Sequence, residues 1–179
     1  MWLTIVNFDK SLFLFINHLP HNVLFDGIFL SLSAIGSLGA IWVILGLTFF
    51  FLEKKKDYHF FLTLFFSLVA TFFLVDGFLK PLFARPRPDM AIMDSFSFPS
   101  GHAAAAFAAA SILSFKKKKW RPFFYLLAIL ISFSRIYLGE HYPLDVVGGG
   151  IVGYVISGIF LRKCKNQSAK IKAYLKTQK

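Results

Sequence analysis

Between Asp26 and Glu53 the chain runs for 26 residues without a charge. A helix crosses hydrocarbon with roughly 20 mostly apolar residues, so this run alone points to a membrane. Four further segments come near the same mark. Residues 59–79 carry only Asp76 as an internal charge, 102–115 are short and alanine-rich, 122–138 carry Arg135 near their end, and 146–161 are glycine-rich. Composition agrees: 56% of the 179 residues are hydrophobic and 18% aromatic, while only 16% are charged. A soluble domain carries about 25% charged residues. A disordered chain and an ordinary water-soluble domain are both excluded. The single cysteine, Cys164, excludes a disulfide framework and a cysteine-rich metal site. The expected fold class is therefore all-α, a polytopic membrane helical bundle of five to six transmembrane helices with an N-terminal amphipathic helix. It is read as one domain over residues 1–179: 1–20 the amphipathic helix, 24–161 the transmembrane core and 162–179 a basic cytoplasmic tail.

Segment 102–115 is too short to cross unless its start sits below the membrane surface in a polar hollow. Irregular backbone at that depth is tolerated only where it lines a cavity or is buried in protein. The first 20 residues place Trp2, Ile5, Phe8, Leu12 and Phe15 on a stripe interrupted by Asp9 and Lys10. They lack the basic start and small-residue cleavage site of a signal peptide. They read as a helix lying in the interface, with a short sixth span as the rival. Lys54–Lys56, Lys116–Lys119, Arg121, Arg162 and six tail lysines make 15 of the 20 basic residues, all on one set of connections. The positive-inside rule assigns that set to the cytoplasm. The net charge of +11 is thereby spent on orientation, and no nucleic-acid partner is expected. Residues 80–101 and 139–145 then face the other side, and they hold or adjoin the residue types that do chemistry.

Three strings carry the chemical signal: Lys80-Pro-Leu-Phe-Ala-Arg-Pro-Arg87-Pro88, Pro99-Ser100-Gly101-His102, and Ser134-Arg135 followed by His141 and Asp145. Lys80, Arg87 and Arg135 are three cations on one membrane face, and charges near hydrocarbon are rare without a partner or a function. The acids Asp89, Asp94, Glu140 and Asp145 lie near enough in sequence to pair with them. An external anion suits them better, because guanidinium groups grip phosphate oxygens bidentately. Ser100 and Gly101 precede a helix whose free N–H groups also favour an anion. His141 and Asp145 stand four residues apart around Pro143. That spacing allows a carboxylate to fix the tautomer of a nucleophilic imidazole, leaving His102 free to give a proton to the leaving oxygen. No His, Cys, Asp and Glu cluster has metal-ligand spacing, so the expected reaction uses no metal and no cofactor.

Together the strings resemble the three-part signature of the type-2 phosphatidic acid phosphatase superfamily, which also includes vanadium-dependent haloperoxidases. That signature is Lys-x6-Arg-Pro, Pro-Ser-Gly-His and Ser-Arg-x5-His-x3-Asp. Each part matches without a gap, and the six-residue spacing from Lys80 selects Arg87 over Arg85. The resemblance implies that His141 takes the phosphoryl group, Asp145 orients His141 and His102 protonates the leaving group. Lys80, Arg87, Ser100, Gly101 and Arg135 would hold the phosphate. Water would then release inorganic phosphate.

Other residues receive plainer readings. Arg85 is assigned to the surface, with a second phosphate or head group as the alternative. His18, His21 and His59 are structural or solvated, Asp76 pairs with Lys80 one turn on, and Gly149 and Gly153 let helices pack closely. Trp2, Trp42 and Trp120 are interfacial anchors, and Cys164 is a bystander. Residues 88–99 form the one sizeable extracytoplasmic loop, which leaves nothing for a cap domain, so the pocket is expected to open to lipid as well as water. The expected partner is a membrane lipid bearing a phosphate or diphosphate: phosphatidylglycerol phosphate, undecaprenyl diphosphate, phosphatidic acid or lipid A 1-phosphate. The expected location is the inner (cytoplasmic) membrane of a bacterium, with the site facing the periplasm. A phosphotransferase with a lipid or sugar acceptor, and a non-enzymatic binder of lipid phosphate, are the rival functions. A haloperoxidase is a more distant one.

Overall fold

The computed structural model of the chain describes residues 2–54, 56–89 and 95–177, so Lys55, Asp94 and Lys179, used above, lie outside the described residues, as do the side chains of residues 2, 38 and 167–177. Every regular element among the described residues is helical: α1 Trp2–Asn17, α2 Val23–Gly36, α3 Ala40–Leu52, α4 Tyr58–Leu74, α5 Lys80–Phe83, α6 Gly101–Lys116, α7 Arg121–Tyr137 and α8 Pro143–Thr177. Local chemistry starts them where they start. The side chains of Asn22 and Asp57 accept from the backbone N–H of Phe25 and Phe60 at 2.9 and 3.0 Å, capping α2 and α4. Pro143 opens α8 at the position where a missing N–H costs nothing.

Helix α6 sits at the centre. Ala103, Ala104, Ala106, Ala108, Ala109, Ala110, Ile112 and Leu113 are all wholly buried. Against it, α8 approaches closely enough that a side chain on Gly149 would meet the Ser100 carbonyl oxygen at 2.3 Å, and one on Gly153 the Ala104 carbonyl oxygen at 2.0 Å. Those glycines therefore do what their spacing suggested. Along α4, Ser67 and Thr71 are buried while Phe65, Phe66, Phe72 and Phe73 are exposed, as a helix facing hydrocarbon requires.

Several expectations change. The span read as continuous over 24–52 is two helices, bent by 65°. Gly39, with a left-handed φ of +72°, provides the break. Among the described residues two stretches, Tyr58–Phe83 and Pro143–Asn166, are long and apolar enough to cross a membrane, and the bent pair makes a third if it counts as one span. Helices α6 and α7 have 16 and 17 residues and fall short of that length. In α4–α5 a wider turn over Val75–Leu79 has the Lys80 N–H bonded to Val75 oxygen, carrying the helix on to Phe83 despite Pro81. Helix α8 does not stop at Leu161 but runs on through the basic tail. Trp42 is no interfacial anchor: it is wholly buried in the cluster with Leu64, Ala109 and Phe124.

Replacing Gly153 by valine is expected to destabilise the protein by more than about 3 kcal/mol, because a backbone carbonyl cannot move aside as a flexible side chain can. Gly158→Ala, with nothing within 4 Å of its added methyl, is the control on the same helix. Thermal unfolding in detergent checks the pair, and equal midpoints would contradict the packing account.

Candidate active site

At the start of α6, Ser100 is fully buried and its hydroxyl accepts from the Ala103 N–H at 3.5 Å. Its own N–H donates to the Asp145 carbonyl at 2.9 Å, locking the Pro-Ser-Gly-His turn to the start of α8. Ser100 is thus occupied in joining two chain segments, and Gly101 and His102 are the residues of that turn that line the cavity beside it. Between α7 and α8 the chain reverses at Gly139, φ +80°, where the N–H groups of Glu140 and His141 both donate to Arg135 oxygen, at 3.0 and 3.1 Å.

A cavity of about 380 Å³ collects the signature residues. Lys80, Arg87, Gly101, His102, Arg135 and His141 line it together with Asp76, while Leu68, Val69, Phe72 and Phe73 of α4 and Val43 of α3 form an apolar wall. Six of the eight residues read from the strings thus line one cavity, with Asp145 directly behind His141 and Ser100 capping the adjoining helix. The His141 Nδ1 lies 3.6 Å from Asp145 Oδ2, and its Nε2 lies 3.4 Å from Arg87 Nη1. At 3.6 Å the imidazole and carboxylate are aligned but not hydrogen-bonded. Burial lowers the His141 pKa to about 4, the charges of Arg87 and Arg135 adding to the effect against the opposing pull of Asp145. A neutral ring with a free lone pair is therefore the resting state at neutral pH.

The cations are not waiting unpaired. Lys80 Nζ bonds Asp76 Oδ1 at 2.5 Å, the pair that the one-turn spacing predicts. Arg135 Nη2 donates to Glu140 Oε2, and Arg135 Nη1 to Ser33 Oγ. Arg87 holds Ser95, through its carbonyl at 3.1 Å and its hydroxyl at 2.6 Å, and the Glu140 carbonyl at 3.1 Å. The buried Arg135 Nε has no partner. Asp76 thus holds Lys80 as expected, whereas Glu140, set behind an external anion as a partner, already pairs with Arg135. Arg85 also departs from its surface reading. Its guanidinium bridges Asp9 Oδ2 at 2.6 Å and Asp145 Oδ1 at 2.7 Å. Among the described residues no three His, Cys, Asp or Glu side chains converge as metal ligands would.

Three contributors escaped the sequence reading: Asp9, Ser33 and Ser37, whose hydroxyl lies 3.3 Å from His102 Nε2. The signals existed. Asp9 interrupts an apolar stripe, and Ser33 and Ser37 stand four apart, hence on one face, in an uncharged run.

Comparison with known proteins came to the same region. The sequence profile described as the PAP2 superfamily matches residues 60–168. Phosphatidylglycerophosphatase B of Bacillus subtilis is 33% identical over 139 residues, covering 70% of this chain and 66% of that protein. The chain thus spans just under two thirds of the length of that relative. Lipid A 4'-phosphatase of Porphyromonas gingivalis is 30% identical over 179 residues, covering 89% of this chain and 73% of that protein. The crystal structure of the transmembrane PAP2 type phosphatidylglycerolphosphate phosphatase from Bacillus subtilis superposes with a TM-score of 0.73 at 26% identity, covering 94% of this chain and 88% of that one.

Because the folded state keeps His141 neutral down to about pH 4 while the unfolded chain takes up that proton near pH 6.5, stability is expected to fall as pH drops from about 6.5 to 4, by on the order of 3 kcal/mol. Unfolding measured across that range checks it. His141→Gln, which cannot titrate there, should lessen the dependence.

Proposed function

This chain belongs to the PAP2 superfamily, and on that premise we propose that it is a metal-independent membrane lipid phosphatase working through a phosphohistidine. The observation that carries the reading is the composition of one cavity. Two histidines and three cations stand at one end and an apolar helix wall at the other, which suits a molecule with a phosphate head and a hydrocarbon tail. Matched relatives and the superposed structure are named as phosphatases of lipids, which supports that class.

The steps follow from the geometry. Lys80, Arg87 and Arg135 hold the phosphoryl oxygens, with the first N–H groups of α6 at Gly101 adding the positive end of its dipole. Substrate phosphate displaces the Glu140 carboxylate from Arg135 and supplies the acceptor that Arg135 Nε lacks. His141 Nε2, the ring nitrogen turned from Asp145, attacks phosphorus. As the P–O bond to the lipid breaks, His102 gives its proton to the leaving oxygen. Asp145 steadies the Nδ1–H and the charge that builds on the ring. Water, its proton taken by His102, then cleaves the N–P bond and releases phosphate. Ser100 contributes by capping α6 and fixing it to Asp145.

The same reading sets topology. The lysines at 54, 56 and 116–119 lie at the helix ends opposite the cavity residues. The cavity then faces the periplasm of an inner membrane, and the short helices α6 and α7 complete five spans around it. The lipid is a phosphate monoester or diphosphate. Phosphatidylglycerol phosphate is favoured by the relative and by the superposed structure, with undecaprenyl diphosphate, phosphatidic acid and lipid A phosphate as the other candidates.

Phosphate release by detergent-purified protein from those four lipids tests the proposal. Wild type releases phosphate from at least one, and the rate is insensitive to EDTA. His141→Ala loses more than about 10³-fold, in line with removal of a nucleophile acting with its partners, while folding and phosphate affinity stay nearly intact. Near-normal turnover by His141→Ala would refute the covalent route. Release only on adding an alcohol acceptor would mark a phosphotransferase.

A further inference from the structure

Asp9 lies far outside the matched segment, which begins at residue 60, and Arg85 lies between the signature positions. The structure nevertheless ties both to Asp145. Asp9 and Asp145 are 1% and 0% exposed, and Arg85 is the cation between them. Both oxygens of Asp9 are engaged, Oδ2 by Arg85 Nη2 at 2.6 Å and Oδ1 by the Leu144 N–H at 2.9 Å. That N–H is one of the unsatisfied donors in the first turn of α8, so α1 caps α8 from outside. Asp145 Oδ1 takes Arg85 Nη1 at 2.7 Å, and Oδ2 takes the Tyr142 N–H at 2.8 Å. The second bond is the reciprocal half of a capping box, reaching back from the third helical residue. Tyr142 also packs its ring under the guanidinium, 4.2 Å from the centroid.

We propose that Asp9 and Arg85 are positioning residues that hold the Asp145 carboxylate, and through it the His141 ring, so that the N-terminal helix is a working part of the site. The proposal rests on the histidine-nucleophile reading above. Asp145 meets His141 only through Oδ2, and its orientation is set by what grips Oδ1. Without Arg85 that oxygen is a buried anion with no donor, and the carboxylate turns to find one. Without the charge of Asp9, Arg85 loses its second anchor and Leu144 its cap acceptor. A displacement of about 1 Å behind a reacting group costs up to ~100-fold in rate.

The test is a double-mutant cycle on kcat with the fastest lipid. Arg85→Ala should lower kcat about 10–100-fold, with KM and vanadate affinity nearly unchanged, and Arg85→Lys should recover part of the loss. Asp9→Asn, a milder change that keeps the shape, should lower kcat in the same direction. In an Asp145→Ala background neither substitution should lower kcat further, because the group through which they act is gone. Losses that multiply undiminished in that background would overturn the proposal, as would a loss carried by KM, which would put Arg85 on the lipid head group. The Nδ1 resonance of His141 in histidine-labelled protein gives a second reading without turnover. It should move in Arg85→Ala and Asp9→Asn while that of His59 stays, and an unmoved His141 would overturn the relay. A wild type silent on every lipid would refute the phosphatase reading instead, and the resonance would still decide the relay.

Discussion

Everything at the site hangs on how closely α8 crosses α6. Gly149 and Gly153 let two helix backbones approach until carbonyl oxygens of α6 fill the space of absent side chains. In hydrocarbon, where lipid tails are as apolar as leucine, such close packing and interhelical hydrogen bonds hold helices together. The crossing has a chemical consequence. It sets the Ser100 N–H on the Asp145 carbonyl at 2.9 Å, which fixes the turn bearing His102 against the helix that begins behind His141. Two strings more than 30 residues apart in sequence become one site through that contact.

The second constraint is electrostatic. Burying a cation beside hydrocarbon is costly unless it is partnered, and each site cation has its partner: Asp76 for Lys80, Glu140 for Arg135 and, at 3.8 Å, for Arg87, and Asp9 and Asp145 for Arg85. The resting site is therefore nearly satisfied in itself. On the proposed reading a phosphate would compete with Glu140 for Arg135, bringing more charge and more acceptor atoms than a single carboxylate.

Legibility in the sequence divided along the same physics. The helical membrane class was readable because apolar runs have no other use, and the signature strings named the residues that line the cavity. The break at Gly39 was not, because an uncharged run longer than one span looks continuous until a single left-handed glycine divides it. Asp9, Ser33 and Ser37 were missed because each acts across a long chain separation on a partner that no local spacing reveals. Trp42 was misplaced because an aromatic near the middle of an apolar run reads the same whether it faces lipid or Leu64. Arg85 shows the limit most clearly: a spacing rule favoured Arg87 over it, but only the fold could bring Asp9 and Asp145 to it.

Rapid acid or base quenching of the protein, while it turns over a lipid labelled with radioactive phosphate, tests the histidine nucleophile itself. A phosphohistidine predicts label on the protein that is stable to base, lost in acid, mapped to His141 and absent from His141→Ala. Turnover with no labelled protein at any quench time, or label that survives in His141→Ala, would contradict a histidine nucleophile.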